Sequence, residues 1–258
     1  LCTEIVAAAN GLWLPPHTDD EPEGLRYVWL KTNGEDTLVT LIAGVMSSAL
    51  KELALRLEAT VVAIGVQPDR GNAIAAQSLE VVRGPYTVSL SLAGRDTDIG
   101  PMGFLQPNPP VAERAYRHLV DAPAGDRALD LYAGAGVTTA LLRDRFDEVA
   151  PCESHPASAA RLGIEPARAQ EFLAAQSGGV DLVVANPPRS GMGAAVCEHL
   201  ARLAPPRIHI MSCHPRSLAA DLSRLGDHGY EAVSLRAYDT LPQTMHVELV
   251  VQLVRRAS

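Results

Sequence analysis

The sequence predicts an α/β protein: a mainly parallel sheet with helices on both faces, preceded by a smaller α+β domain. Three observations predict this. From residue 108 onward, apolar runs of strand length alternate with helical patterns, as crossovers between parallel strands require. The first such run, "RALDLYAG", passes through a glycine-bearing turn into "VTTALLRDRF", and sheets of this type hold ligands at such joins. Before residue 103, two alternating runs joined by "NGED" precede one amphipathic helix and further strands. The expected domains are residues 1–103 and 104–258.

Bulk properties set the frame. The chain has 258 residues, 47% hydrophobic and 20% charged, enough to bury a full core. No apolar run approaches the ~18–20 residues of a membrane span, and the start lacks a basic n-region. The expectation is a cytoplasmic protein with no membrane partner. The four cysteines, Cys2, Cys152, Cys197 and Cys213, form no CxxC pair and no dense framework, so they read as free thiols rather than metal ligands. Net charge is −8, whereas nucleic-acid binders usually lean basic, because phosphate contacts supply much of their affinity. A nucleic-acid partner then requires local clustering of basic residues, or help from another domain.

In the first domain "LPPHTDDEPEG" (14–24) is a loop, and "LRYVWLKT" and "DTLVTLIA" are strands. "SSALKELALRLEA" reads as a serine-capped helix with Leu50, Leu53, Leu55 and Leu57 near helical spacing, followed by the strands "TVVAIGVQP" and "YTVSLSLAG". The second domain opens with Asn108 as an expected N-cap and prolines in the first turn. Strands follow at "RALDLYAG", "EVAPCE", "VDLVVANPP", "RIHIMSC", "YEAVSLRAYD" and "HVELVVQLVRR". Helices alternate with them at "VTTALLRDRF", "AVCEHLARL" and "SLAADLSRLGDHG".

The chemistry-bearing residues fall at strand ends. Gly134 and Gly136 in "DLYAGAGVTT" leave room for a ligand to approach backbone at a helix start, though a bare tight connection has the same pattern. Thr139 stands where a dinucleotide fingerprint has its third glycine, which disfavours NAD. Glu153, about twenty residues on, can accept both ribose hydroxyls. A nucleoside cofactor without pyrophosphate fits this pair, and S-adenosyl-L-methionine is one. "NPPR" holds Asn186 rigidly where the chain leaves the sheet; its amide both donates and accepts. Arg189 supplies no ring to stack on a base, which disfavours methylation of an exocyclic amine. Cys213 closes a strand at that same edge, although a lone cysteine is more often an inert small hydrophobe. Glu248 lies within an apolar run, where burial would raise its pKa and suit it to proton transfer.

Taken in order, the glycine turn, Glu153, "NPPRSGM", "SCHPRSLAADL" and "DTLPQTMHVELVVQL" resemble the RNA uracil-5 methyltransferase family. "GFLQPNPPVAERAY" and "GVQPDRGNAI" are similar to two further stretches of that family. The resemblance implies a Rossmann-like class I methyltransferase domain and S-adenosyl-L-methionine as cofactor, acting on RNA (tRNA or rRNA). It also implies catalytic roles: Cys213 adds to carbon 6 of a pyrimidine, and Glu248 removes the carbon 5 proton. Gln106, Tyr132, Val137, Glu153 and Asn186 match the cofactor pocket, beside Gly134 and Gly136. The chain departs from the family at Asn186, where Asp is usual, and at His214, where Asn is. It is also roughly ten residues short after Glu153, with "ARAQ" around Arg168 in place of an acid. The family's N-terminal RNA-binding barrel and iron–sulfur cysteines have no counterpart in these residues. Residues 1–103 are therefore expected to be a partial RNA-binding-type domain, in a truncated sequence or a protein with a small or pre-bound RNA target. These departures and the acidic charge support a second expectation, a catalytically inactive RNA-binding relative.

Overall fold

The computed structural model describes residues 1–71, 76–92, 94–103 and 106–256. It divides into two compact units, Leu1–Ser91 with Asp96–Gly103, and Leu92–Arg95 with Phe104–Ser258.

The first unit starts with α1 (Cys2–Gly11), which none of the sequence signals above announces. Then come β1 (Leu25–Thr32), β2 (Thr37–Ala43), α2 (Ser48–Arg56), β3 (Val61–Val66) and β4 (Ser78–Arg83). They form a four-stranded sheet in the order β1-β2-β3-β4, parallel only between β2 and β3, which α2 connects. Ser47 caps α2 by accepting from the Leu50 N–H at 3.1 Å. Leu50, Leu53 and Leu57 are buried against the sheet, but Leu55 faces solvent, because i, i+3, i+7 is one helical stripe and Leu55 lies off it. β5 (Val88–Leu92) and β6 (Arg95–Ile99) make a separate two-stranded sheet.

The second unit contains α3 (Pro109–Leu119), β7 (Gly125–Leu131), α4 (Val137–Leu142), β8 (Phe146–Cys152), α5 (Pro156–Leu162) and α6 (Ala169–Ala174). It continues through β9 (Leu182–Ala185), α7 (Ala194–Leu203), β10 (Arg207–Ser212), α8 (Pro215–Asp227), β11 (Tyr230–Tyr238) and β12 (Glu248–Arg255). The sheet order is β11-β12-β10-β9-β7-β8. β8, β7, β9 and β10 run parallel, and β12 inserts antiparallel between β10 and β11. The mainly parallel sheet is therefore present. Both its faces are covered, which is why β9 is apolar throughout: Leu182 and Val184 pack with α3 and α4, Val183 and Ala185 with α6, α7 and α8. The chain steps outward from β7 to β8 on one side and returns to β9 on the other. This puts a switch point beyond the end of β7, the usual ligand position in such sheets.

Three local expectations change. Asn108 occupies the N-cap position of α3, but its side chain does not cap; it donates to the Asp239 carbonyl at 3.4 Å. Pro109 and Pro110 have no N–H to offer, and the Val111 and Ala112 N–H groups already bond to the Asn108 carbonyl at 2.9 Å. α4 stops at Leu142 rather than running to Phe146, whose buried ring opens β8. The short stretch after Glu153 still forms a helix, α5. Among the described residues it forms no strand, so β8 is the outer strand on that side. No helix among the described residues is long and apolar enough to cross a membrane.

Candidate active site

Four strand ends and one strand start build the site, all within the second unit. β7 leads into a turn with left-handed backbone at Tyr132 (φ 61°), Gly134 (φ 55°) and Gly136 (φ 84°). A carboxylate on each side holds this turn. Asp130, fully buried, accepts from the Thr138 and Thr139 hydroxyls at 2.5–2.9 Å, clamping the first turn of α4 to the end of β7. Burial pushes its pKa up to about 6 against the opposing pull of those hydroxyls. Glu153 accepts from the Gly134 N–H at 2.8 Å and from the His155 N–H at 2.6 Å, one bond per oxygen. Each oxygen keeps a second lone pair for a ligand hydroxyl.

The two glycines do different work. A side chain at Gly134 would meet nothing nearer than 3.9 Å, so the space over it is open. At Gly136 a Cβ would lie 2.7 Å from Leu162 of α5, so that missing side chain accommodates α5 packing and the N-cap conformation. Val137 is the buried first residue of α4. A cavity of about 420 Å³ opens beside the turn, lined by Tyr132, Cys152, Ser154, Arg168, Pro188 and Met192 among others. Arg168 thus stands in the wall where the resemblance led one to expect an acid. A broader depression of about 1250 Å³ over α3 carries none of the residues nominated from sequence.

Asn186 follows β9, its N–H on the Leu131 carbonyl at 3.3 Å. Its side chain is half-buried and has no recorded partner among the described residues. The loop beyond is pinned from α8. Asp221, 2% exposed, accepts from the Met192 N–H (2.7 Å) and the Gly193 N–H (3.1 Å) and pairs with Arg224 (3.1 Å). A Cβ at Gly191 would sit 2.6 Å from the Asp221 Oδ2, so glycine is required there.

Cys213 is the residue after β10, a partly exposed free thiol. Cys152 and Cys197 are buried, and burial pushes both thiols up to about 12, far from thiolate chemistry at neutral pH. His214 next to Cys213 is the N-cap of α8: its Nδ1 accepts from the Ser217 N–H at 3.3 Å. An imidazole here takes the capping role open to the asparagine usual in the family.

Glu248 is the first residue of β12, opposite Tyr238 of β11. On the other side the β10–β12 ladder ends at Ser212 opposite Leu249. Cys213 and Glu248 are one step beyond that pair, at the open end of two neighbouring strands. Glu248 is 6% exposed, and its Oε1 accepts from the Gln106 Nε2 at 3.2 Å, while Oε2 is buried with no recorded partner. Burial raises its pKa, and the Gln106 bond offsets part of the rise. Tyr116 of α3 is pushed up chiefly by burial, then by the nearby Glu248 and Asp130 charges.

The residues nominated from sequence therefore meet in two groups: Gly134 with Glu153 at the turn, and Gln106 with Glu248 beside the end of β10. Phe104 and Leu105 of "GFLQPNPPVAERAY", and 72–74 of "GVQPDRGNAI", lie outside the described residues. Sequence reasoning missed Asp130 and Asp221. Both left a signal: an acid inside the apolar run "ALDLY", and an acid on the Leu218–Leu225 stripe of a helix.

Comparison with known proteins now fits the geometry. The model of a family described as "tRNA (Uracil-5-)-methyltransferase" matches residues 171–256, which contain Asn186, Cys213 and Glu248. An uncharacterized RNA methyltransferase of Thermosynechococcus vestitus is 31% identical over 89% of this chain and 57% of its own length. A 23S rRNA (uracil(747)-C(5))-methyltransferase of Edwardsiella ictaluri is 31% identical over 77% of this chain and 56% of its own. The chain is thus similar to RNA uracil-5 methyltransferases over the segment that carries Asn186, Cys213 and Glu248. It spans just over half the length of these curated relatives. Pyrococcus abyssi tRNA (uracil-54, C5)-methyltransferase, solved with S-adenosyl-L-homocysteine, superposes with a TM-score of 0.78 at 23% identity, covering 98% of this chain and 66% of that one. The second unit has the class I methyltransferase architecture.

Proposed function

We propose that this chain is the catalytic part of an S-adenosyl-L-methionine-dependent RNA uracil-C5 methyltransferase acting on tRNA or rRNA. The observation that carries the reading is the placement of Cys213 and Glu248 at the open end of adjacent strands, with a bare carboxyl oxygen on Glu248.

Carbon 5 of uracil is a poor nucleophile. Addition of the Cys213 thiolate to carbon 6 breaks the 5,6 double bond and leaves carbon 5 enolate-like. S-adenosyl-L-methionine, when bound, would supply an electrophilic methyl group to carbon 5. Glu248 then accepts the carbon 5 proton; the electron pair re-forms the double bond and expels the Cys213 thiolate. The products are 5-methyluracil and S-adenosyl-L-homocysteine. The residues present fit the cofactor. Glu153 has spare acceptor capacity for ribose hydroxyls, Gly134 leaves open space, and the cavity beside Tyr132 is within the size of small-molecule sites. Asn186 offers an amide to the base or the cofactor. The target base must leave its stack, at a cost of a few kcal/mol, roughly.

RNA carrying 5-fluorouridine, incubated with cofactor, should form a covalent complex that survives denaturation, and Cys213→Ala should abolish it. With ordinary uridine, Glu248→Gln should accumulate the corresponding adduct, with hydrogen in place of fluorine on the methylated carbon 5, because methyl transfer precedes the step that needs the base. A wild-type protein that binds both RNA and cofactor yet traps nothing would overturn the reading.

A further inference from the structure

Gln106 matches a cofactor-pocket position by resemblance, yet its side-chain amide is used elsewhere. It is buried, and its Nε2 donates to the Glu248 Oε1 at 3.2 Å. The other oxygen, Oε2, is as deeply buried and has no partner among the described residues. A bare buried carboxylate oxygen is costly, and such exceptions concentrate where chemistry uses the atom. We propose that Gln106 is the positioning residue of Glu248: it holds Oε1, turns Oε2 toward the base, and sets the pH range in which Oε2 can take the carbon 5 proton. The inference rests on the reading of Glu248 as the general base.

Among the described residues, Gln106 is alone in this role. α3 contributes Tyr116, β11 contributes Tyr238 directly opposite, and the end of β10 contributes Cys213. None is a cation, and no salt bridge to Glu248 is recorded among the described residues. A hydrogen bond donated to a carboxylate favours its charged form, so Gln106 opposes the rise that burial causes in the Glu248 pKa. The sign follows. Removing the donor raises the Glu248 pKa, and the acid limb of proton abstraction moves to higher pH.

The variant is Gln106→Met, which keeps the length and loses the donor. Release of tritium from RNA labelled at carbon 5 of uridine reads the base step directly. Its acid limb should shift upward by about one to two pH units, the worth of one hydrogen bond to a charged group. Covalent adduct should accumulate below the shifted limb. A second measurement follows the Glu248 carboxyl by carbon NMR titration, assigned by its loss in Glu248→Gln, and should show the same upward shift without turnover. If Gln106→Met weakens cofactor binding while the limb and the titration stay in place, Gln106 serves the cofactor alone and the proposal is overturned. Failure of wild-type protein to trap 5-fluorouridine RNA removes the methyltransferase reading instead, and the carboxyl titration still decides whether Gln106 and Glu248 are coupled.

Discussion

Buried carboxylates organise the site one side chain at a time. Asp130 has a folded pKa near 6 against an ordinary 3.8, and the cause is burial. Where folding raises an acid's pKa, the native state binds more protons than the unfolded chain. The associated stability is fully present below about pH 4 and is lost as pH rises through about 6. Two units correspond to on the order of 3 kcal/mol. Asp130→Asn cannot ionise, so wild type should lose stability relative to it across that window in parallel melts, with the gap level above and below. A gap that is flat or widens the other way would show that the hydroxyls of Thr138 and Thr139 fully compensate the charge. Cys213 and Glu248 could be nominated from the sequence because the proposed chemistry demands those residue types within quotable motifs. Asp130 and Asp221 act through backbone N–H groups and hydroxyls that only the fold brings near, so the sequence showed them merely as acids in apolar company.

At the scale of elements, α8 is the rod that ties the site together. Its N-cap adjoins the thiol, and its buried Asp221 grips the loop that follows Asn186. The imidazole cap has a measurable worth. His214→Ala should lower stability by about 1 kcal/mol, whereas His214→Asn, a stronger cap, should hold or raise it. Thermal melts decide, and equal loss in both variants would mean the ring acts by packing rather than capping. Strand–helix alternation was readable because a strand covered on both faces must be apolar throughout, as β9 is. Element ends were less so. Nothing in "VTTALLRDRF" marks Leu142 as the last helical residue, since the stop comes from Phe146 entering the core. α1 escaped notice because its alanine-rich stretch gives no clear stripe.

For the molecule as a whole, charge is the main constraint on how RNA is held. A net charge of −8 repels a polyanion at long range, and salt screens that repulsion together with any local attraction. RNA affinity of this chain should therefore fall less than about tenfold between about 50 and about 200 mM salt, against roughly 10³–10⁵-fold for a protein making 6–10 phosphate contacts. A steep slope in a salt titration would reveal a concentrated basic track that net charge conceals. A change of pattern near residue 103 can be read along the sequence, but the insertion of β12 cannot, because alternation specifies neighbours along the chain and not order across a sheet.

That insertion has a consequence in time. β12 follows β11 along the chain but lies between β10 and β11 in the sheet. On the ribosome, β11 emerges with no edge to join until the next strand has cleared the exit tunnel. A nascent chain paused before Glu248 would present the sulfur alone, so the proposed nucleophile and base would be united only when the β11–β12 hairpin zips shut.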